Sequence, residues 1–381
     1  MSRDGPRPPP AVPDGPLALD CSLAGGAPTG IGRYTVRLAA ALAAGPLRDR
    51  LWLLGGRAAV LPRRVAHAPA RVASRTLWML GEVPPLLVSR RARLFHGLAN
   101  FTLPLTRPPR TRFVLTVHDL IPLTHPATVS RPFRMQFSAW LARSLGLCDA
   151  VVCDSEATRR ELLARFPGAP ATVVPLGADH VPGRAAALAA EPLAPDRRHV
   201  LYVGALDARK QVDVLLAAFE RLPRARELAL VLAGAPAFGA AALLARVDAL
   251  RAAGLDVRLP GPLPAGRLWG AMARADVLCC PSGAEGFGLP PLEGLALGAP
   301  VVASRIAAHE EVLGDAARYV NPGDPDDLGE ALSRVLEDET CAEELRRRGP
   351  PRAARFTWRR CAEETAAVWE RVLGGREVNA P

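Results

Sequence analysis

Two doubly wound α/β domains, each built on a parallel sheet, are what this sequence predicts, and three observations predict them. Short apolar runs alternate with segments of helical periodicity along most of the chain, the pattern of buried parallel strands joined by crossover helices. At 381 residues the chain is long for one hydrophobic core and suits two domains of roughly 150–200 residues. Between residues 181 and 198 the periodicity breaks at Pro182, Gly183, Pro192 and Pro195, as an interdomain linker would.

The totals narrow the class further. Hydrophobic residues make up 49% of the chain, enough to build both cores. Of 48 basic residues all but Lys210 are Arg, a bias that coding composition explains as readily as function. Charge is unevenly spread: residues 1–190 carry a net +13 and residues 191–381 a net −3. The first half should therefore attract an anionic partner, either an acidic lipid surface or a phosphate-linked acceptor. Nucleic acid is disfavoured, because the arginines are scattered and no stacking aromatics accompany them.

The seven cysteines lack zinc-ligand spacing and several sit inside apolar runs. They read as buried thiols of a cytoplasmic, reducing environment. Residues 1–16 form a proline-rich segment without an apolar core and read as a disordered tail, not a signal peptide. No stretch of 18 apolar residues occurs, so membrane contact would be peripheral, on the inner face.

The first domain is expected over residues 17–180. Leu17–Cys21 reads as its first strand, Gly25–Gly32 as a glycine-bearing loop, and Arg33–Ala44 as a helix with Leu38 and Leu42 on one side. Strands are predicted at Leu51–Leu54, Leu94–His96, Phe113–Val117, Ala150–Cys153 and Thr172–Val174. His118 and Asp119 follow the fourth of these six strands at its carboxyl end, where open α/β sheets bind ligands. Pro132–Leu147 is a helix with Phe133, Phe137, Trp140 and Leu141 at helical spacing, and Ser155 caps the next helix.

The second domain, residues 199–355, opens with a strand, a loop holding Gly204, and a helix from about Gln211. Arg209 and Lys210 stand at the start of that helix, a poor place for cations unless they face an anion. Leu228–Ala233 is another strand. Ala275–Cys280 and Val301–Ser304 are strands flanking the stretch SGAEGFGLPPLEGLALGAP, residues 282–300. Its glycines let backbone N–H groups approach a ligand, and Pro290 and Pro291 set the first turn of a helix. Helix N-termini favour anions such as a diphosphate. Glu285 and Glu293, with seven residues between them, flank this feature, and acids beside an anion site are best explained as acceptors from hydroxyls. A nucleoside diphosphate sugar offers hydroxyls on both sides of its charge. Residues 356–381 complete the chain with a helix.

EGFGLPPLE resembles the E-x7-E signature of the family 4 retaining glycosyltransferases, and GIGRYT, VHDLIPLTHP, the Arg209–Lys210 segment and VVCDSEATRRELLARF follow that family's order over roughly residues 17–373. The resemblance implies the GT-B architecture, two Rossmann-like domains facing a cleft, with the last helix crossing back to the first domain. It implies that Arg209, Lys210, Gly204 and the N–H groups of Gly286, Phe287, Gly288 and Leu289 hold the donor diphosphate. It gives Glu293 the ribose hydroxyls, Glu285 and His118 the transferred sugar, and Gly30 and Gly32 a place near the phosphates and acceptor. The closest pattern is mannosyltransferase-like, favouring GDP-mannose over UDP-sugars as donor and a glycan, lipid-linked or small-molecule acceptor. No tightly bound cofactor is implied, and no metal is required if Arg209 and Lys210 supply the positive charge. Two other readings stay open: a sugar-nucleotide epimerase of the same plan, and a degenerate nucleotide-sugar-binding protein.

Overall fold

The computed structural model describes residues 15–25, 29–100, 103–194, 197–223, 225–237 and 239–375. Most of the proline-rich segment expected at 1–16, residues 26–28 of the glycine-bearing loop, and residues 195–196 of the linker lie outside the described residues.

The chain divides into two compact units, one made of residues up to Leu120, Met135–Leu176 and the C-terminal segment from Trp358, the other of Ile121–Arg134 and Gly177–Thr357. In the first, seven parallel strands form one sheet: β1 (Leu17–Asp20), β2 (Leu51–Leu54), β3 (Ala66–Ala68), β4 (Leu94–Gly97), β5 (Arg112–Val117), β6 (Ala150–Cys153) and β7 (Ala171–Val173), in the order β3-β2-β1-β4-β5-β6-β7. Six of them coincide with apolar runs in the sequence. The edge strand β3 does not: its three residues, Ala-His-Ala, are only half-buried, so no hydrophobic run marks it.

Helix α1 (Gly30–Ala44) begins at Thr29, whose hydroxyl accepts from the Gly32 N–H at 3.0 Å, an N-cap bond. Tyr34, Leu38 and Leu42 line its buried face at the i, i+4 spacing of a core-facing stripe. The C-terminal helix Trp358–Leu373 packs against α1, β5 and β6. Its Trp369 indole donates to His96 Nδ1 at 3.1 Å, and His96 Nε2 then meets the Thr116 hydroxyl at 2.9 Å. Burial, and secondarily His118, lowers the His96 pKa to about 3, so it is a neutral imidazole stitching that helix to the sheet. In the helix Arg131–Leu147, Phe137 and Leu141 are buried while Phe133 is exposed.

The second unit is a six-stranded parallel sheet of β8 (Arg198–Val203), β9 (Leu228–Ala233), β10 (Asp256–Arg258), β11 (Val277–Cys280), β12 (Val301–Ser304) and β13 (Ala317–Val320), ordered β10-β9-β8-β11-β12-β13. Helices α2 (Val212–Glu220), α3 (Leu289–Ala296) and α4 (Ala307–Leu313) follow β8, β11 and β12. Leu215, Leu216 and Phe219 of α2 pack into one core with Leu230, Leu232, Leu328 and Leu332. Strand order reverses between β8 and β11, so the loops after these strands border the switch point at which such sheets bind ligands.

Candidate functional site

The loop after β8 is set by Asp207, whose carboxylate accepts from the Lys210 N–H at 3.1 Å and caps a 3₁₀ turn, Ala208–Lys210. Gln211 then takes a left-handed conformation (φ 48°) and α2 begins at Val212. Arg209 and Lys210 therefore stand in the turn before the helix, and both reach the loop after β11. Arg209 Nη1 donates to the Ala284 carbonyl at 3.1 Å and lies 3.3 Å from Glu285 Oε2, while Nη2 is 3.4 Å from Asp207. The Lys210 ammonium pairs with Glu285 Oε1, which also accepts from the Ser282 hydroxyl at 2.7 Å. The Gly283 N–H donates to the Arg209 carbonyl at 2.9 Å, tying the two loops together.

This cluster is electrostatically taut. Burial pushes the Glu285 carboxyl up, but Lys210 first and Arg209 next outweigh it and hold it at about 2. Glu285 is thus an anion throughout the physiological range and occupies the two cations expected to meet a diphosphate. The sequence assigned it to sugar hydroxyls alone; its pairing with Lys210 and Arg209 is an addition that local sequence does not show.

Helix α3 is capped at its start by Gly288, left-handed at φ 94°, a conformation that favours glycine. Pro290 and Pro291 occupy its first turn and carry no N–H. The N–H groups at the helix start therefore reduce to those of Gly288 and Leu289. Glu293 is expected in the first turn but falls in the second, since α3 begins at Leu289. It is fully buried, and its Oε1 lies 2.9 Å from Nε2 of His180, whose ring meets Trp269 edge-on at 6.2 Å. Gly204, at φ 154°, is required because a Cβ would stand 2.8 Å from the Tyr202 hydroxyl, and its carbonyl lies so near Gly234 that a Cβ there would clash.

In the first unit His118 follows β5 and is buried. Nδ1 is 2.6 Å from Asp154 Oδ2 and Nε2 is 2.9 Å from the Leu98 carbonyl. The Asn100 side chain accepts the His118 N–H at 2.7 Å from a strained backbone, φ 25°, the kind of strain that gathers at functional positions. The Tyr34 ring meets that of His118 edge-on at 4.8 Å. A carbonyl and a carboxylate both accept, so the ring is satisfied as an imidazolium donating from both nitrogens. Burial pulls its pKa down, yet Asp154, by charge and hydrogen bond, and Leu98 raise it overall. Both donors of His118 are thereby engaged within the protein, so a sugar contact through Nε2 requires exchange with Leu98. Gly30 and Gly32 lie in the first turn of α1, with the Gly32 N–H committed to Thr29.

A pKa raised on folding contributes stability that is complete below the unfolded value of about 6.5 and is lost as pH climbs through the folded value. Wild type should lose more melting temperature between pH 6 and pH 8.5 than His118→Gln does. Parallel curves for the two proteins would show that the ring is not charged.

Sequence reasoning missed His180, His309, Asn100 and Asp154. His309, on α4, has its Nδ1 3.0 Å from the Ser304 carbonyl and abuts Gly288. Asp154 stands within VVCDSEATRRELLARF, but its pairing with His118 crosses 36 residues; likewise His180 meets Glu293 across 113 and Asn100 meets His118 across 18. Among the described residues no group of three or more His, Cys, Asp or Glu side chains is arranged to hold a metal ion. The seven cysteines are all free thiols, and no described helix is long and apolar enough to cross a membrane.

Residues 28–181 match the family model described as Glycosyltransferase Family 4, and residues 184–352 that described as Glycosyl transferases group 1. The O-antigen chain mannosyltransferase B of Escherichia coli is 28% identical over 372 residues, covering 90% of this chain and 96% of that protein. The sucrose-phosphate synthase of Thermosynechococcus elongatus shares the fold at a TM-score of 0.76 and 20% identity, over 95% of this chain and 100% of that one. So does HepE of Anabaena, solved with UDP and glucose, at 0.73 and 17% over 93% and 99%.

Proposed function

The chain belongs to the group 1, family 4 retaining glycosyltransferases of GT-B fold, and from that premise we propose that it transfers a mannosyl residue from GDP-mannose to an acceptor hydroxyl in glycan, polysaccharide or glycolipid assembly. The Arg209–Lys210–Glu285 cluster carries the donor half of this reading. Two cations are gathered at the switch point beside a glycine-bearing loop that opens into the N-terminus of α3, the arrangement a departing pyrophosphoryl group needs. A mannosyltransferase relative matching nearly end to end supports the sugar.

In the proposed reaction the diphosphate takes over Lys210 and Arg209. Glu285, released from them, accepts from hydroxyls of the transferred sugar, and Glu293 accepts from the ribose. His118 is given the sugar as well, through its Nε2 hydrogen. As the anomeric bond breaks, charge developing on the phosphate is met by groups already in place; the acceptor hydroxyl adds on the face that the phosphate leaves, passing its proton to the departing phosphate, so configuration is retained.

The test is a melting screen against GDP-mannose and UDP-sugars. The preferred donor, at a hundredfold excess over its Kd, should raise the transition by roughly 5–10 °C. Product analysis then decides the reaction: GDP together with a mannosylated acceptor supports it, and an altered free sugar with no acceptor product overturns it in favour of an epimerase.

The acceptor side carries a second expectation. A concavity of about 1440 Å³ in the first unit, at the amino ends of its strands, is lined by nine arginines, Arg50, Arg64, Arg90 and Arg93 among them, with Asp49 the single acid in the lining. We take this to favour contact with an anionic lipid surface. Co-sedimentation should be stronger with vesicles containing anionic lipid than with neutral ones; equal binding removes the idea.

A further inference from the structure

His309 has no part in the contacts proposed above, yet it stands directly behind them. It is fully buried on α4. Because the Ser304 carbonyl can only accept, Nδ1 carries the ring hydrogen, and in the neutral imidazole Nε2 is a bare acceptor. That Nε2 is buried without a hydrogen-bond partner. Unsatisfied groups of this kind are rare in folded cores and call for a reason.

The geometry says where the reason lies. A Cβ placed on Gly288 would stand 3.1 Å from Cδ2 and 3.5 Å from Nε2 of His309, so this edge of the ring backs the glycine that opens the N–H loop. The charged groups acting on it are Glu285, from the loop after β11, and Lys210, from the turn after β8. From β13 the Tyr319 hydroxyl donates to the His309 carbonyl at 3.2 Å, and Glu310, next on α4, is turned to Arg305 at 2.9 Å.

We infer that His309 is a positioning residue for the donor diphosphate, neutral in the free enzyme and protonated at Nε2 when the diphosphate occupies Arg209 and Lys210. The inference rests on the donor site proposed above and deepens it. In the free protein Glu285 balances Lys210, and burial keeps the imidazole in its neutral form. An arriving diphosphate adds more negative charge than it displaces, and it draws Lys210 and Arg209 off Glu285. The Glu285 carboxylate and the phosphate oxygens then lie before an imidazole that can accept a proton from solvent. The new Nε2–H gives the loop a further positive group behind Gly288, aimed at the anion.

The experiment is titration calorimetry of GDP and of UDP at pH 7, in buffers of different ionisation enthalpy, which counts the protons exchanged on binding. Wild type should take up between half a proton and one proton more than His309→Gln or His309→Asn. The affinity of both variants should lie within about threefold of wild type at pH 8.5 and about tenfold below it at pH 6. Histidine-labelled wild type should show one imidazole passing to the protonated form as GDP is added, a readout that needs no variant. If neither nucleotide binds wild type, the donor-site reading itself fails. If a nucleotide binds but proton uptake is the same in wild type and variants, or no imidazole changes state, this inference alone is overturned.

Discussion

Lys210→Ala should lower turnover of the preferred donor by about 10²–10³-fold while leaving the protein folded. The size follows from the position of this ammonium, which is buried, placed by a turn that Asp207 caps, and held against Glu285. The bound diphosphate draws it off Glu285 before reaction, so it is already in place when the phosphate departs. One preorganised group aimed at developing charge is worth about 3–4 kcal/mol in the transition state. Because the gain is made as charge develops, kcat falls more than KM changes. The same variant removes the largest influence holding Glu285 near 2, so a Lys210→Ala, Glu285→Gln double variant should lose much less than the product of the single losses. Steady-state kinetics of the four proteins checks both statements. A kcat within tenfold of wild type for Lys210→Ala would remove this residue from the chemistry.

How much of this was legible beforehand depends on whether partners are neighbours in sequence. Strands buried on both faces declare themselves as apolar runs, and β1, β2, β4, β5, β6, β8, β9, β11 and β12 were readable for that reason. Edge strand β3, half-buried and three residues long, has no such run. The site divides in the same way. Arg209 and Lys210 stand out because cations before a helix need an anion, and Glu285 and Glu293 because they bracket a glycine-bearing loop. What local sequence could not supply is which group meets which. Glu285 finds Lys210 across 75 residues, and Glu293 finds His180 across 113. His118 finds Asp154 only because β5 and β6 are paired in register, Val117 opposite Cys153, which brings the next residue of each strand together.

Glu293→Ala should weaken binding of GDP and UDP by about ten- to hundredfold, the loss expected if its carboxyl accepts hydrogen bonds from the ribose hydroxyls, at about 1.5–3 kcal/mol. Burial makes the variant informative as well as hazardous. The carboxylate is inaccessible to solvent and lies against His180, so truncation disturbs that contact too and melting temperature must be measured beside affinity. Glu293→Gln keeps the shape and one acceptor oxygen, and it separates the two effects: it should stay near wild type in melting while losing most of the affinity. A cycle with 2′-deoxy-GDP isolates the ribose. Wild type should prefer GDP over its deoxy analogue by roughly tenfold, and that preference should nearly vanish in Glu293→Ala, because hydroxyl and acceptor are two halves of one interaction. A preference that survives intact in the variant would assign the ribose to some other group and leave Glu293 as an internal strut for His180.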